Sequence, residues 1–179
     1  MSYLSAINLV LLGFLMDEAM SAYDLDKLIT RNDIKEMVKI STPAIYKNLL
    51  KLNEKGYLAA QTVKEGEMPE KTIYRITNLG RQYFTELMYK YAGEKLKINF
   101  DLNALIINLE KVEKDKALRM LENIRNGFYY QQKTLTDKLL SGPMMPMAGR
   151  AVLRQFQLVN QALVTWIEEL IQEFNKGNI

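Results

Sequence analysis

Hydrophobic positions along the chain change their period several times, and each change marks an element. The first stretch is nearly continuous: Leu4, Ile7, Leu9, Val10, Leu11, Leu12, Phe14, Leu15 and Met16 cover every side of a helix over Tyr3 to Met16. A helix that is apolar all round must be covered from more than one direction. Its own domain covers one side, and the other is expected to meet something else, the C-terminal region of a partner chain. A second helix starts at Met20-Ser21-Ala22-Tyr23-Asp24-Leu25. Ser21 is a suitable N-cap, Asp24 stands three residues on as in a capping box, and Met20 with Leu25 fits a hydrophobic staple. Leu25, Leu28 and Ile29 form its inner face. After a short stretch around Val38 and Ile40 a third helix begins at Ser41 or Thr42, with Pro43 tolerated in the first turn. It stops at Gly56, a residue suited to the C′ position, and Lys51 and Lys55 complement the dipole of its last turns.

The period then switches to two. Tyr57 to Val63 and Lys71 to Thr77 read as strands joined by a polar turn with Gly66 and Pro69. A further helix from about Asn78 carries Leu79, Tyr83, Leu87 and Tyr91 on one stripe. Three helices, a hairpin and a helix form the layout of a winged helix-turn-helix. From Phe100 onward the pattern is helical: Ala117, Leu121, Ile124, Phe128, Leu135 and Leu139 lie close to a heptad seam. A break over Ser141 to Gly149, rich in Gly, Pro and Met, precedes a last helix with the stripe Val152, Phe156, Val159, Leu163, Trp166 and Leu170. Its second flank is Leu153, Val164, Ile167 and Ile171. One stripe packs within a subunit; two adjoining stripes call for a second partner, and a twin copy of the chain is the simplest. The expected fold is mainly α: a winged helix-turn-helix domain with a two-stranded wing over 1–93, then an all-helical dimerisation and effector domain over 94–179.

Composition narrows the chemistry. The 179 residues include no Cys and no His. Disulfides, thiolate metal sites and the commonest general base are absent, and no convincing catalytic set of carboxylates, lysines or tyrosines stands in their place. Neither enzyme activity nor a cofactor or metal is expected. No Lys or Arg precedes the apolar N-terminal run, and the run is too short for a membrane span, so it reads as a buried helix of a cytoplasmic protein with no membrane partner. Net charge is only +3. Locally, Lys39, Lys47, Lys51 and Lys55 against Glu54 make the third helix basic.

Ser41-Thr-Pro-Ala-Ile-Tyr-Lys-Asn-Leu-Leu-Lys-Leu-Asn-Glu-Lys-Gly-Tyr-Leu resembles the recognition-helix signature of the PadR family of transcriptional regulators. Leu12-Gly13-Phe14-Leu15 and Ala22-Tyr23-Asp24-Leu25 are similar to its first-helix and Gly-Tyr-Glu-Leu motifs. Pro69 to Gly80 resembles its wing-to-helix signature. The match covers about residues 4–90, and the longer helical tail, with Val164-Thr165-Trp166, looks like the larger branch of the family, whose C-terminal domain carries the dimer contacts. Ala22 departs from the usual Gly and Lys47 from the usual Pro. Glu65, Glu67 and Glu70 replace the Arg-rich wing tip of relatives, which argues against strong minor-groove anchoring.

On the third helix Ile45, Leu49 and Leu52 are expected inside and Ala44, Lys47, Asn48 and Lys51 outside, with Tyr46 at the edge. Small and polar residues near the helix start suit base edges, while Lys and Tyr suit phosphates. The DNA-binding set is therefore Ser41, Thr42, Pro43, Ala44, Tyr46, Lys47, Asn48 and Lys51, with Lys64 and Lys71 flanking the wing. The resemblance implies a homodimeric regulator, a repressor on double-stranded operator DNA released by a small apolar or aromatic effector. Phe14, Met147, Phe156 and Trp166 are the residues expected around that effector, and Met144 and Met145 add an adaptable apolar surface. The alternative function is a winged-helix protein-interaction module that does not bind DNA.

Overall fold

The computed structural model describes residues 3–64, 70–95, 98–140 and 145–176, and these divide into two compact units, 1–97 and 98–179. In the first unit α1 (Tyr3–Asp17) runs through the core. Ile7, Leu11, Leu12 and Leu15 are fully or almost fully buried, and Leu9, Val10, Phe14 and Met16 are half-buried against the same cluster. No residue from Ala6 to Met16 is exposed, which is what an all-round apolar sequence requires.

Met20–Ser21 forms a short strand, β1, and α2 (Ala22–Arg31) follows it. Asp24 N donates to Ser21 Oγ at 3.1 Å, so Ser21 is the N-cap. The Ser21 hydroxyl in turn donates to the Asp24 carboxylate at 2.7 Å, which differs from a capping box, where the carboxylate would take the cap's backbone N–H. The stretch before Ile40, expected as a connection, contains a short helix, α3 (Ile34–Val38), entered and left through left-handed Asp33 (φ 56°) and Lys39 (φ 54°). Then come α4 (Thr42–Glu54), β2 (Leu58–Val63), β3 (Lys71–Ile76) and α5 (Asn78–Gly93). The expected two-stranded wing is part of a three-stranded antiparallel sheet, β1-β3-β2, because Met20 pairs with Tyr74 and Ser21 with Ile73. β2 and β3 run in register from Leu58 opposite Ile76 to Val63 opposite Lys71. The expected turn at Gly66 and Pro69 lies outside the described residues.

The junction between wing and helices is the tightest place in this unit. Gly56, at φ +74°, ends α4 in the left-handed conformation that lacks a Cβ penalty only for glycine. Thr77 caps α5: Gly80 N donates to Thr77 Oγ1 at 3.0 Å, and the hydroxyl reaches the Gly56 and Tyr57 carbonyls at 2.8 and 3.1 Å. A Cβ on Gly80 would sit 2.1 Å from the Tyr57 carbonyl oxygen. On α5 the inward residues are Gly80, Tyr83, Phe84, Leu87 and Tyr91; Leu79, expected on that stripe, is exposed.

In the second unit α6 (Asn103–Ile106) and a 3-10 turn (Leu109–Lys111) lead into α7 (Lys114–Leu140) and α8 (Met147–Lys176). Lys114 bonds Asn175, and Asn160 Nδ2 bonds the Phe128 carbonyl, so the two long helices lie antiparallel. Tyr129 with Glu168 and Gln132 with Gln161 add a polar ladder along one side. Ala117 and Leu121 of α7 pack with Ile167, Ile171 and Phe174 of α8. The buried stripe of α8 is Leu153, Asn160, Val164, Ile167, Ile171 and Phe174. The other expected stripe, Val152 to Leu170, is only half covered in one chain, and Val159 is 37% exposed.

Gly80→Ala should lower unfolding free energy by about 3 kcal/mol, because a backbone carbonyl must move to admit the methyl group. Urea denaturation of the full chain reads this directly, and an unchanged midpoint would mean that α5 can tilt away from the wing.

Candidate nucleic-acid interface

Two elements, α2 and α3, hold the start of α4. Thr42 Oγ1 donates to Asp26 Oδ1 of α2 at 2.9 Å, and Lys35 Nζ of α3 reaches Thr42 Oγ1 at 2.9 Å and Asp26 Oδ1 at 2.7 Å. The Thr42 hydroxyl is thus engaged in orienting the helix. Ser41, the N-cap, makes no side-chain capping bond and is exposed, as is Pro43. The backbone N–H groups of Ala44 and Ile45 already donate to the Ser41 carbonyl, so what the first turn of α4 presents is a free hydroxyl and a rigid ring, which suit phosphate oxygens and base edges.

Further along, Tyr46 is 43% exposed and Lys47, Leu50 and Lys51 point to solvent. Two expected members of this face do not lie on it. Ala44 is half-buried against the core, and Asn48 is 2% exposed, its Nδ2 donating to the Ala44 carbonyl at 2.7 Å. The reason is periodicity: Ile45, Asn48, Leu49 and Leu52 occupy i, i+3, i+4 and i+7, the inward stripe of a helix. The spacing contained this information, but the polarity of Asn48 outweighed it. In the other direction, sequence reasoning missed Leu50, which is 55% exposed and offers an apolar contact. It also missed Tyr23, 64% exposed in the first turn of α2. Tyr23 lies three residues before Asp26, hence on the side of α2 that meets Thr42. Its position off the Leu25-Leu28-Ile29 stripe was the available signal.

Lys64 follows β2 and Lys71 opens β3, both exposed at the same end of the hairpin. Glu65 and Glu67 lie outside the described residues, and Glu70 is exposed. Of the residues expected around an effector, Phe14 belongs to the first unit, half-buried on α1, and the other three to α8 in the second. Met147 is 75% exposed, while Phe156 and Trp166 are half-buried. Met144 is outside the described residues. None of these four residues lines the clefts beside α2 and behind α4 that the described residues of the first unit form. Among the described residues no three carboxylates converge as a metal site would require, and no helix is long and apolar enough to cross a membrane.

Residues 18–90 match a family model described as a winged helix DNA-binding domain. The chain is 24% identical to the negative transcriptional regulator PadR of Bacillus subtilis (strain 168) over 181 aligned residues, covering 95% of this chain and 98% of that one. The crystal structure of Bacillus subtilis PadR in complex with operator DNA superposes with a TM-score of 0.78 at 18% identity, over 93% of this chain and 98% of that chain. The structure of the same regulator in complex with p-coumaric acid gives 0.76 at 15% identity, over 98% of both.

The Asp26–Thr42 contact is open to a double-mutant cycle. Asp26→Ala and Thr42→Ala should couple by about 0.5–1.5 kcal/mol in thermal or urea unfolding. Strictly additive effects would show that the Thr42 hydroxyl is not committed to Asp26 and is available to DNA.

Proposed function

The chain belongs to the PadR family of DNA-binding winged-helix transcriptional regulators and is not an enzyme, and from that premise we propose that it is a cytoplasmic repressor that binds a pseudo-palindromic operator as a homodimer and is released by a small effector. One observation carries the reading: α4 is clamped at its start by α2 and α3 and turns Ser41, Pro43, Tyr46, Lys47 and Lys51 outward. In this arrangement Ser41 and the first helical turn approach base edges in the major groove. Tyr46, Lys47 and Lys51 bind flanking phosphates, Leu50 packs on sugar or a thymine methyl, and Tyr23 holds the backbone beside α2. Lys64 and Lys71 meet the backbone at the wing. Two such helices related by a twofold reach successive major grooves about 34–36 Å apart.

The dimer is assigned to α8. Its half-covered stripe, Val152, Phe156, Val159, Leu163, Trp166 and Leu170, lies beside the face already used against α7, and a twin helix from a second copy supplies the missing cover. The relative's complex with p-coumaric acid supports a small aromatic effector, and Phe14, Met147, Phe156 and Trp166 are candidate contacts for it.

A gel shift with the DNA upstream of the protein's own gene, repeated across salt concentrations, tests the main reading. Lys47→Ala should weaken binding to all sequences and flatten the log–log salt slope by about 0.9 for the lost phosphate contact. No retardation at any salt would favour the protein-interaction module instead. Deleting residues 148–179 uncovers Ala117, Leu121 and Leu135 of α7, so the remnant should aggregate or sediment as a monomer that binds DNA poorly. A truncated chain that remains a well-behaved dimer would place the dimer contacts elsewhere.

A further inference from the structure

Thr42, Asp26 and Lys35 form a closed ring at the start of the DNA-reading helix. The Lys35 ammonium lies 2.9 Å from Thr42 Oγ1 and 2.7 Å from Asp26 Oδ1, and the Thr42 hydroxyl donates to that same carboxylate oxygen at 2.9 Å. The side chains of Lys35 and Asp26 are only 25% and 22% exposed. Around the ring stand groups turned outward: Ser41 and Pro43 beside Thr42, and Tyr23 three residues before Asp26 on α2. The lysines of α4 differ from Lys35. Lys47 and Lys51 are exposed, and among the described residues neither has an ion-pair partner. Lys35 is therefore committed to a carboxylate, whereas Lys47 and Lys51 are open to phosphates.

We propose that Asp26 is a specificity-determining residue that does not touch DNA: it holds Lys35 off the phosphates, so that the lysine aims α4 without adding to its grip on arbitrary sequence. This inference rests on the regulator reading above. Affinity for DNA of any sequence comes from lysines and arginines that displace counterions at phosphates, each adding about 0.9 to the log–log salt slope. Such contacts carry no sequence information and strengthen right and wrong sites alike. A lysine loose beside the first turn of α4 would be one more of them. Paired with Asp26 it brings no net charge to the duplex, and the same pair fixes the turn that carries Ser41 and Pro43, on whose placement base contacts depend. The carboxylate thus favours discrimination in two ways, by weakening binding to wrong sequences and by keeping the geometry that the right one needs. Asn at position 26 would retain an acceptor oxygen for Thr42 and lose the charge that holds Lys35.

Fluorescence anisotropy of the full chain across salt concentrations, with a labelled random-sequence duplex and the fragment upstream of its own gene, tests this. On the random duplex Asp26→Asn should steepen the salt slope by about 0.9, which amounts to about eightfold tighter binding at 0.1 M salt. Its preference for the upstream fragment should fall by about fivefold or more, the loss expected of one displaced base contact. Lys35→Gln alone should leave the slope unchanged, because this lysine makes no phosphate contact in the parent. Combining the two substitutions should return the slope to the parent value. A partly exposed pair adds little stability, so these variants should fold, which circular dichroism checks; Asp26→Ser is the second variant, with the same expected slope. A flatter slope in Lys35→Gln would put the lysine on a phosphate already and overturn the proposal. So would a parent-like slope or an undiminished preference in Asp26→Asn, or a gain that persists in the double variant, which would trace it to repulsion by the carboxylate. A parent that binds no duplex, or prefers neither, removes the regulator reading and this inference with it; a parent that discriminates while the variants depart from these slopes removes this inference alone.

Discussion

Thr77 joins every part of the DNA-binding unit that has to keep a fixed distance from the others. Its hydroxyl accepts from Gly80 N at the start of α5 and reaches the carbonyls of Gly56 and Tyr57, where α4 ends and β2 begins. Its backbone N–H donates to the Tyr57 carbonyl as well. A single residue therefore satisfies the first turn of one helix, the last carbonyls beyond another and the base of the wing. That closeness is possible only because Gly56 takes a left-handed φ and Gly80 leaves the space that a methyl group would fill. With the junction fixed, α4 cannot shift along its axis without moving the wing, and the two parts expected to touch DNA stay in one register.

At its other end α4 is held by charge and hydrogen bonding as well as by packing. Asp26, Lys35 and Thr42 connect α2, α3 and α4 within 3 Å contacts at a partly exposed site. Such a partly solvated pair adds only modest stability, so its value lies in orientation: the N-terminal turn carrying Ser41 and Pro43 is aimed while the apolar stripe of Ile45, Leu49 and Leu52 supplies the adhesion. The short helix α3 contributes to the same orientation: it carries Lys35 to the pair, and the chain enters and leaves it through left-handed Asp33 and Lys39.

The second unit follows a different logic. α7 and α8 pair along a seam with hydrogen bonds on one side, and Asn160 sits inside that seam with one oxygen unpaired and its amide on the Phe128 carbonyl. A polar residue inside an apolar helix pair costs stability and fixes register. The half-covered stripe of α8 beside it carries aromatic and branched residues.

The sequence by itself determined the order of the main helices and the hairpin, the cap at Ser21, the inward residues Ile45, Leu49 and Leu52, and the switch from helix to hairpin at Gly56. These depend on local geometry and on period, and both are written in consecutive residues. Tertiary structure alone decided that Met20–Ser21 is a third strand, because two residues have no period and become a strand only when β3 lies alongside. It also decided that Thr42, although exposed, bonds Asp26, sixteen residues away. Asn48 is the intermediate case: the spacing put it on the inward stripe, yet its amide reads as a surface group until a buried environment and a local acceptor, the Ala44 carbonyl, are seen to satisfy it. The same holds for α8, where the sequence offers two apolar stripes of similar strength. Which of them meets α7 was settled by the complementary surface of that helix, and no pattern within α8 contains that information.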